Sequence, residues 1–131
     1  MNAQNGNTGW VGRFKQALQQ TEETRDPAHV ASLFAAGAPL TNLGGDHGND
    51  ATTFWQTYID QFVGVRSEFT SEFASESGAA LEWKSRGTTA EGRPVEYRGV
   101  SVIEYNEDAL TSFRTYYDSA AFVHTKVAAK A

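Results

Sequence analysis

The stretch FWQTYIDQFVGVRSEFTSEF, residues 54–73, contains the point at which the apolar pattern of this chain changes its period. Up to Val63 the apolar residues recur at the three- and four-residue spacing of one broad helical face. From Ser67 onward apolar and polar residues alternate, which is the spacing of a half-buried β-strand. A helix that begins near Asn49 or Asp50 is therefore predicted to run through Val63, and a strand is predicted to follow it.

Two shorter helices are predicted before this point. The first runs from Trp10 to about residue 20, because its apolar residues also recur at helical spacing. Asp26 and Pro27 then supply an N-cap and a first-turn proline for the second helix. A short strand is predicted at residues 38–42, ahead of a glycine-rich loop.

The second half of the chain is predicted to be a meander of four antiparallel strands joined by turns. The predicted strands cover residues 67–76, 79–86, 95–105 and 110–122. Helices followed by strands are typical of an α+β fold, here with three helices packed on one face of a strongly curved antiparallel sheet. The pattern predicts a single domain at residues 9–122, with a flexible arm at residues 1–8 and a tail at residues 123–131.

The composition argues against several classes of function. The 131 residues carry a formal net charge of -5 and a pI near 5.1, and the basic residues are scattered. This argues against nucleic acid or an anionic membrane as a partner. The chain has no cysteine, so neither disulfides nor thiolate chemistry is expected. The first residues lack the basic and apolar segments of a signal peptide, and no apolar run approaches the roughly 20 residues of a membrane helix, which predicts a cytoplasmic protein.

The histidines of the chain, His29, His47 and His124, do not have the spacing of a metal site. Neither a metal nor another cofactor is therefore expected. His47 lies in the loop LGGDHG, at the predicted mouth of a pocket. That loop lacks the Lys-Ser/Thr ending of a phosphate-binding loop.

The order of these elements resembles that of the NTF2-like superfamily, and within it the SnoaL-like group of small bacterial proteins. The resemblance rests on four stretches and on their order: DPAHVASLFA (26–35), LEW (81–83), YRGVSVIEY (97–105) and LTSFRTYYDSAAF (110–122). It implies a cone-shaped, cystatin-like α+β roll that forms a homodimer through its sheet. Members of the group include polyketide cyclases, ketosteroid isomerases and epoxide hydrolases, and others only bind small molecules or proteins. Since one fold hosts many chemistries, the function has to be argued from the site.

The resemblance allows each of these chemistries to be compared with the residues present. The carboxylate base of the isomerases falls at Asn42, which cannot take a proton. The Arg-x-Asp pair of the epoxide hydrolases is absent from residues 82–85, which read Glu-Trp-Lys-Ser. The catalytic acid of the cyclases corresponds to Asp118, and Glu104 stands where their histidine is expected. Asp118 has a structural alternative, in which it bonds a backbone N–H or pairs with an arginine.

An apolar pocket with aromatic walls is predicted inside the cone. Strand alternation places Arg114, Tyr116 and Asp118 on one face of the last strand, and the resemblance implies that this face looks into the cone. The residues predicted to line the pocket are Trp10, Phe14, Asn42, Trp55, Tyr58, Trp83, Arg98, Arg114 and Tyr116.

Two functions follow from this prediction. The leading hypothesis is a domain that binds a small apolar or aromatic ligand, with Asp118 and Glu104 as the acid/base groups of a cofactor-independent cyclase- or isomerase-type enzyme. The alternative is a non-catalytic module for ligand binding or dimerisation. Whether the protein is an enzyme stays open at this point.

Overall fold

The computed structural model describes residues 2–43, 45–46 and 48–122. Helices come first along the chain and long strands follow, as predicted for the α+β class. The elements are α1 (Asn2–Thr24), α2 (Ala28–Ala31), β1 (Leu40–Asn42), β2 (Gly45–Asp46), α3 (Ala51–Asp60), β3 (Phe62–Ala74), β4 (Gly78–Thr89), β5 (Pro94–Tyr105), β6 (Leu110–Tyr117) and the 3-10 helix η1 (Ser119–Phe122).

The sheet has the strand order β2-β1-β6-β5-β4-β3. The four long strands pair with their neighbours in antiparallel fashion, which is the predicted meander. The sheet as a whole is mixed, because β1 runs parallel to β6 with Leu40 opposite Phe113. The prediction of a wholly antiparallel sheet is therefore wrong, since a three-residue strand between helices gives no sequence signal for its partner.

The helices pack against one face of the sheet around a cluster of aromatic rings. Phe113 of β6 lies at its centre, with ring centroids 5.8 Å from Phe14 of α1, 5.7 Å from Phe54 and 4.9 Å from Trp55, both of α3. Phe14 is fully buried and Phe113 is 3% exposed. This cluster holds α1 and α3 against the sheet by apolar burial and by edge-to-face ring contacts.

α3 begins where the sequence predicts and ends earlier. Asp50 caps it, because its carboxylate accepts hydrogen bonds from Thr53 N at 3.2 Å and Thr53 Oγ1 at 2.9 Å. The helix ends at Asp60, and Phe62 and Val63 belong to β3. The prediction extended α3 through Val63, because an apolar residue at this boundary fits a helical face and a strand equally well.

Arg25 ties this helix end to the rest of the fold. It has φ 65°, in the left-handed region, and its N–H donates to Thr21 O at 2.8 Å at the end of α1. Its guanidinium donates to the carbonyl oxygens of Ile59 at 3.0 Å, Phe62 at 2.7 Å and Val63 at 3.1 Å. These bonds join Arg25 to carbonyl groups at the end of α3 and at the start of β3.

The first helix and the last strand have bounds that differ from the predicted ones. α1 begins at Asn2, so that residues 2–8, predicted to be a flexible arm, are helical backbone. This segment is rich in Asn, Gln, Gly and Thr and has no apolar face that would have indicated a helix. The last strand ends at Tyr117, and residues 119–122 form η1. The predicted tail at 123–131, with His124, and the loop residue His47 lie outside the described residues.

Among the helices that the structure describes, none has the length and apolar character needed to cross a membrane.

Candidate functional site

A cavity of about 230 Å³ lies between α3 and the helix-bearing face of the sheet. Its apolar lining consists of Leu18 from α1, Phe54, Trp55 and Tyr58 from α3, Trp83, Tyr97, Phe113 and Tyr117 from the strands, and Phe122 from η1. Its polar lining consists of neutral side chains, namely Asn42, Thr53, Thr57, Gln61, Ser67, Ser85, Ser101 and Thr115. A cavity with flat apolar walls and a few polar groups is suited to a small ring-containing ligand.

The register of the sheet explains why these side chains meet. Ser85 of β4 is opposite Tyr97 of β5, and Ser101 of β5 is opposite Thr115 of β6. Opposite residues in a sheet point to the same face. Alternation along β6 then carries Phe113 to that face as well, beside the helices.

Asn42, Trp55, Tyr58 and Trp83 line the cavity, as the sequence predicts for them. The other predicted lining residues, from α1 and from the outer face of the strands, do not line the cavity. Trp10 and Phe14 are buried in the apolar cluster under α1 rather than in the cavity wall. They face the sheet from α1, as their helical spacing predicts, but the residue of α1 that reaches the cavity is Leu18.

The face predicted for β6 needs correction. Arg98, Tyr116 and Asp118 line a separate hollow together with Thr70 and Glu82, and Tyr116 is 49% exposed. Side chains along β6 alternate between the two faces of the sheet. Because the apolar Phe113 is buried on the face beside the helices, Arg114 and Tyr116 point away from the helices.

The two predicted acid/base carboxylates therefore lie outside the cavity and are not brought together. Asp118 is exposed, and its carboxylate accepts a hydrogen bond from Ala120 N at 3.0 Å at the start of η1. Asp118 therefore bonds a backbone N–H, which is the structural role considered as the alternative to catalysis. Glu104 accepts from Ser112 Oγ at 2.7 Å and lies 3.6 Å from the Arg114 guanidinium, on the outer face near the other end of β6.

A different carboxylate, Glu22 of α1, lies directly behind the cavity wall and is 4% exposed. Its Oε1 accepts from Ser67 N at 2.8 Å, and its Oε2 accepts from Tyr58 OH at 2.7 Å and Ser67 Oγ at 2.6 Å. Ser67 Oγ is in turn 2.6 Å from Ser85 Oγ. The cavity-lining hydroxyl groups of Tyr58, Ser67 and Ser85 are thus joined to one buried carboxylate.

The electrostatics of this group follow from its burial. Desolvation raises the pKa of the Glu22 carboxyl above its ordinary value of 4.5, while the hydrogen bonds from Ser67 and Tyr58 oppose the rise. Burial and then the nearby Glu22 charge raise the pKa of Tyr58 well above 10.0. Tyr58 is therefore a neutral hydroxyl group that donates to a carboxylate.

Sequence reasoning missed Glu22 because it ended the first helix near residue 20. The residue lies four positions after Leu18 on the same buried helical face, which is the one local signal that it points inward. Its partners, Tyr58 and Ser67, are far away along the chain, and no motif connects them.

A second group of polar side chains lies on the same sheet face. Trp83 Nε1 donates to Ser101 Oγ at 2.9 Å, and Ser101 Oγ is 2.9 Å from Thr115 Oγ1. Trp55 Nε1 is buried and has no hydrogen-bond partner among the described residues. Trp83 is thus held in a fixed orientation by a hydrogen bond, whereas Trp55 is held by the rings around it.

Solved structures with this fold share little sequence with the chain. An NTF2-like protein from Anabaena variabilis has a TM-score of 0.81 at 14% identity, covering 89% of this chain and 92% of that one. AclR from Streptomyces galilaeus has a TM-score of 0.73 at 10% identity, covering 87% and 92%. A Catenulispora acidiphila protein with a ketosteroid isomerase-like fold, in complex with trimethylamine, has a TM-score of 0.70 at 17% identity, covering 85% and 86%. At such identities the likeness shows the fold alone.

Comparison with curated proteins found no match. The model of the SnoaL-like domain family matches residues 13–113, which is most of the chain and includes the second half of α1, all of α3, β3, β4 and β5, and the start of β6. By this match, the chain belongs to the SnoaL-like domain family.

Proposed function

We propose that this protein binds a small apolar or aromatic molecule in the cavity between α3 and the sheet, which we take to be the interior of the cone expected for the family. The observation that carries the proposal is the wall itself, in which aromatic rings surround a space bordered by neutral polar side chains. Flat rings provide apolar contact area for a planar ligand, and the hydroxyl groups can fix its orientation.

The geometry supports binding and gives no support to the predicted catalytic pair. Acid/base work by Asp118 and Glu104 requires their carboxylates within hydrogen-bonding reach of the ligand, and both face away from the cavity. The proposal is therefore binding, and any turnover would have to use the side chains around Glu22.

Binding can be tested by titrating the ¹⁵N-labelled protein with naphthalene or 2-naphthol and following the indole N–H signals in NMR spectra. The signals of Trp55 and Trp83 are expected to shift, because both residues line the cavity, whereas the Trp10 signal stays in place as an internal control. Thr57→Trp, which adds bulk at an exposed lining position of α3, is expected to weaken binding. Thr52→Trp is the matched control, since Thr52 is exposed on the same helix and outside the lining. Equal shifts of all three indole signals, or none, would contradict the proposal.

We further propose that a second copy of the chain packs on the outer face of the sheet. This face exposes Phe73, which is 72% accessible, and Tyr116, with the partly buried Val100 between the strands that carry them. Arginines and glutamates surround these apolar side chains, so that both charge signs are available on one self-complementary surface.

Phe73→Glu is expected to shift the protein from dimer to monomer in sedimentation velocity experiments at micromolar concentration. Because Phe73 is exposed in the single chain, its replacement should change the stability of the monomer by no more than about 0.5 kcal/mol. Val63→Glu is the matched control, as Val63 is 63% exposed at the other end of β3 and should leave association unchanged. A wild-type protein that sediments as a monomer at these concentrations would rule out the proposed dimer.

A further inference from the structure

The hydrogen atoms of the hydroxyl groups beside Glu22 are already used within the protein. Tyr58 OH has a single hydrogen, and it donates this hydrogen to Glu22 Oε2 at 2.7 Å. The Ser67 hydroxyl donates its hydrogen to the same oxygen at 2.6 Å. Neither group has a hydrogen left to offer to a molecule in the cavity.

The direction of the next bond in the network follows from these two. Ser67 and Ser85 are joined at 2.6 Å, and either hydroxyl could in principle be the donor. Because the Ser67 hydrogen points to Glu22, Ser85 must donate to Ser67. The carboxylate thus orients three hydroxyl groups: Tyr58 and Ser67 donate to it directly, and Ser85 donates to Ser67. Each of the three oxygens keeps at least one lone pair.

The residues that carry these lone pairs, Tyr58, Ser67 and Ser85, all line the cavity. The Glu22 carboxylate bonds two of these lining hydroxyl groups directly, and its negative sign strengthens the preference for a positive or hydrogen-bearing partner. At this end the hydroxyl groups of Tyr58, Ser67 and Ser85 can accept hydrogen bonds but cannot donate them to a ligand. The Tyr97 hydroxyl interacts with Ser85 and Tyr58, and because their hydrogens are already used, it can only be the donor in those bonds.

From this arrangement we propose that the ligand is an aromatic molecule bearing a hydroxyl or amino hydrogen-bond donor, and that this donor binds the oxygens of Tyr58 and Ser85. The inference rests on the proposed function and narrows its ligand class. A matching ring without a donor still fits the aromatic walls, but it leaves the acceptor oxygens without partners. Such a ring therefore binds more weakly than the donor-bearing one.

The test compares three probes of similar shape by isothermal titration calorimetry: 2-naphthol, its methyl ether 2-methoxynaphthalene, and naphthalene. Wild-type protein is expected to bind 2-naphthol about fivefold to tenfold more tightly than the methyl ether, the ratio for one net hydrogen bond. If naphthalene and the ether bind as tightly as 2-naphthol, the inference fails and the proposed function stands. If none of the three binds, the proposed function itself fails.

Variants show whether the preference comes from the Glu22 network. In Glu22→Gln the amide can donate to one hydroxyl oxygen, and the hydrogen of that hydroxyl group is then free to point into the cavity. The preference for 2-naphthol over its methyl ether is therefore expected to fall below twofold. The double variant Tyr58→Phe with Ser85→Ala removes both acceptor oxygens and should lower the ratio in the same way. Thermal unfolding reports whether each variant folds, and the double variant decides the matter if Glu22→Gln does not fold.

The matched control is Glu104→Gln, the same carboxylate-to-amide change on the outer face of the sheet. It is expected to keep the wild-type ratio. An unchanged ratio in both the Glu22→Gln and the double variant would overturn the inference, as would a ratio that falls equally in Glu104→Gln.

Discussion

Phe113→Ala is expected to lower the free energy of unfolding by about 3–5 kcal/mol, the range for removing a buried aromatic side chain. Phe113 is 3% exposed and contacts the rings of Phe14, Phe54 and Trp55. Its removal would leave a void where α1, α3 and β6 meet, next to the existing cavity. Urea unfolding followed by far-ultraviolet circular dichroism measures the loss.

Leu43→Ala is the control for this variant. Leu43 is 45% exposed and lies outside the cluster around Phe113, so its truncation should change the free energy of unfolding by about 0.5 kcal/mol or less. A loss below about 1 kcal/mol for Phe113→Ala would show that the rings do not depend on one another as their contacts indicate.

Gly99→Ala is the second variant with a large expected effect, a loss of about 3 kcal/mol, at the upper end of the cost of overpacking. A methyl group on Gly99 would clash with the carbonyl oxygen of Tyr116. It would also lie 2.7 Å from Tyr117 Cβ and 2.9 Å from Trp83 Cζ2. Because the first of these atoms belongs to the backbone, β5 and β6 would have to move apart, and two cavity-wall rings would move with them.

Gly12→Ala, the same substitution in α1, is expected to raise the free energy of unfolding instead of lowering it. Gly12 lies in α1, is exposed, and has nothing within 4 Å of the position that its Cβ would take. Alanine there should stabilise the protein by roughly 0.4–1 kcal/mol, because it restricts the unfolded chain and favours the helix. Equal effects of the two variants in urea unfolding would show that the close contacts at Gly99 are not maintained.

The fold class could be predicted because periodicity is a local property. The change of spacing around Ser67 separates the helices from the long strands, and the Asp50 cap marks the start of α3. The boundary after α3 could not be placed as well, since Phe62 and Val63 fit the apolar face of either element. It is set instead by long-range contacts, including the bonds from Arg25.

The site could be predicted only in part, for two physical reasons. Alternation along β6 separates Phe113 and Thr115 from Arg114 and Tyr116, yet it does not tell which set is inside. The packing of Phe113 against the helices decides this, and the catalytic interpretation of Asp118 favoured the other face. Glu22 could not be recognised because its role depends on partners from α3 and β3, which only the folded chain brings to it.

The three carbonyl bonds of Arg25 also bear on how the cavity can move. They fasten the end of α3, and the first residues of β3, to Arg25, the residue that follows α1. The cavity wall contributed by α3 is therefore mechanically coupled to α1 and to the sheet, and it cannot swing outward as an independent lid. Arg25 reaches the three oxygens from two separate nitrogens of its planar fork, whereas a lysine would have to reach them all from a single nitrogen.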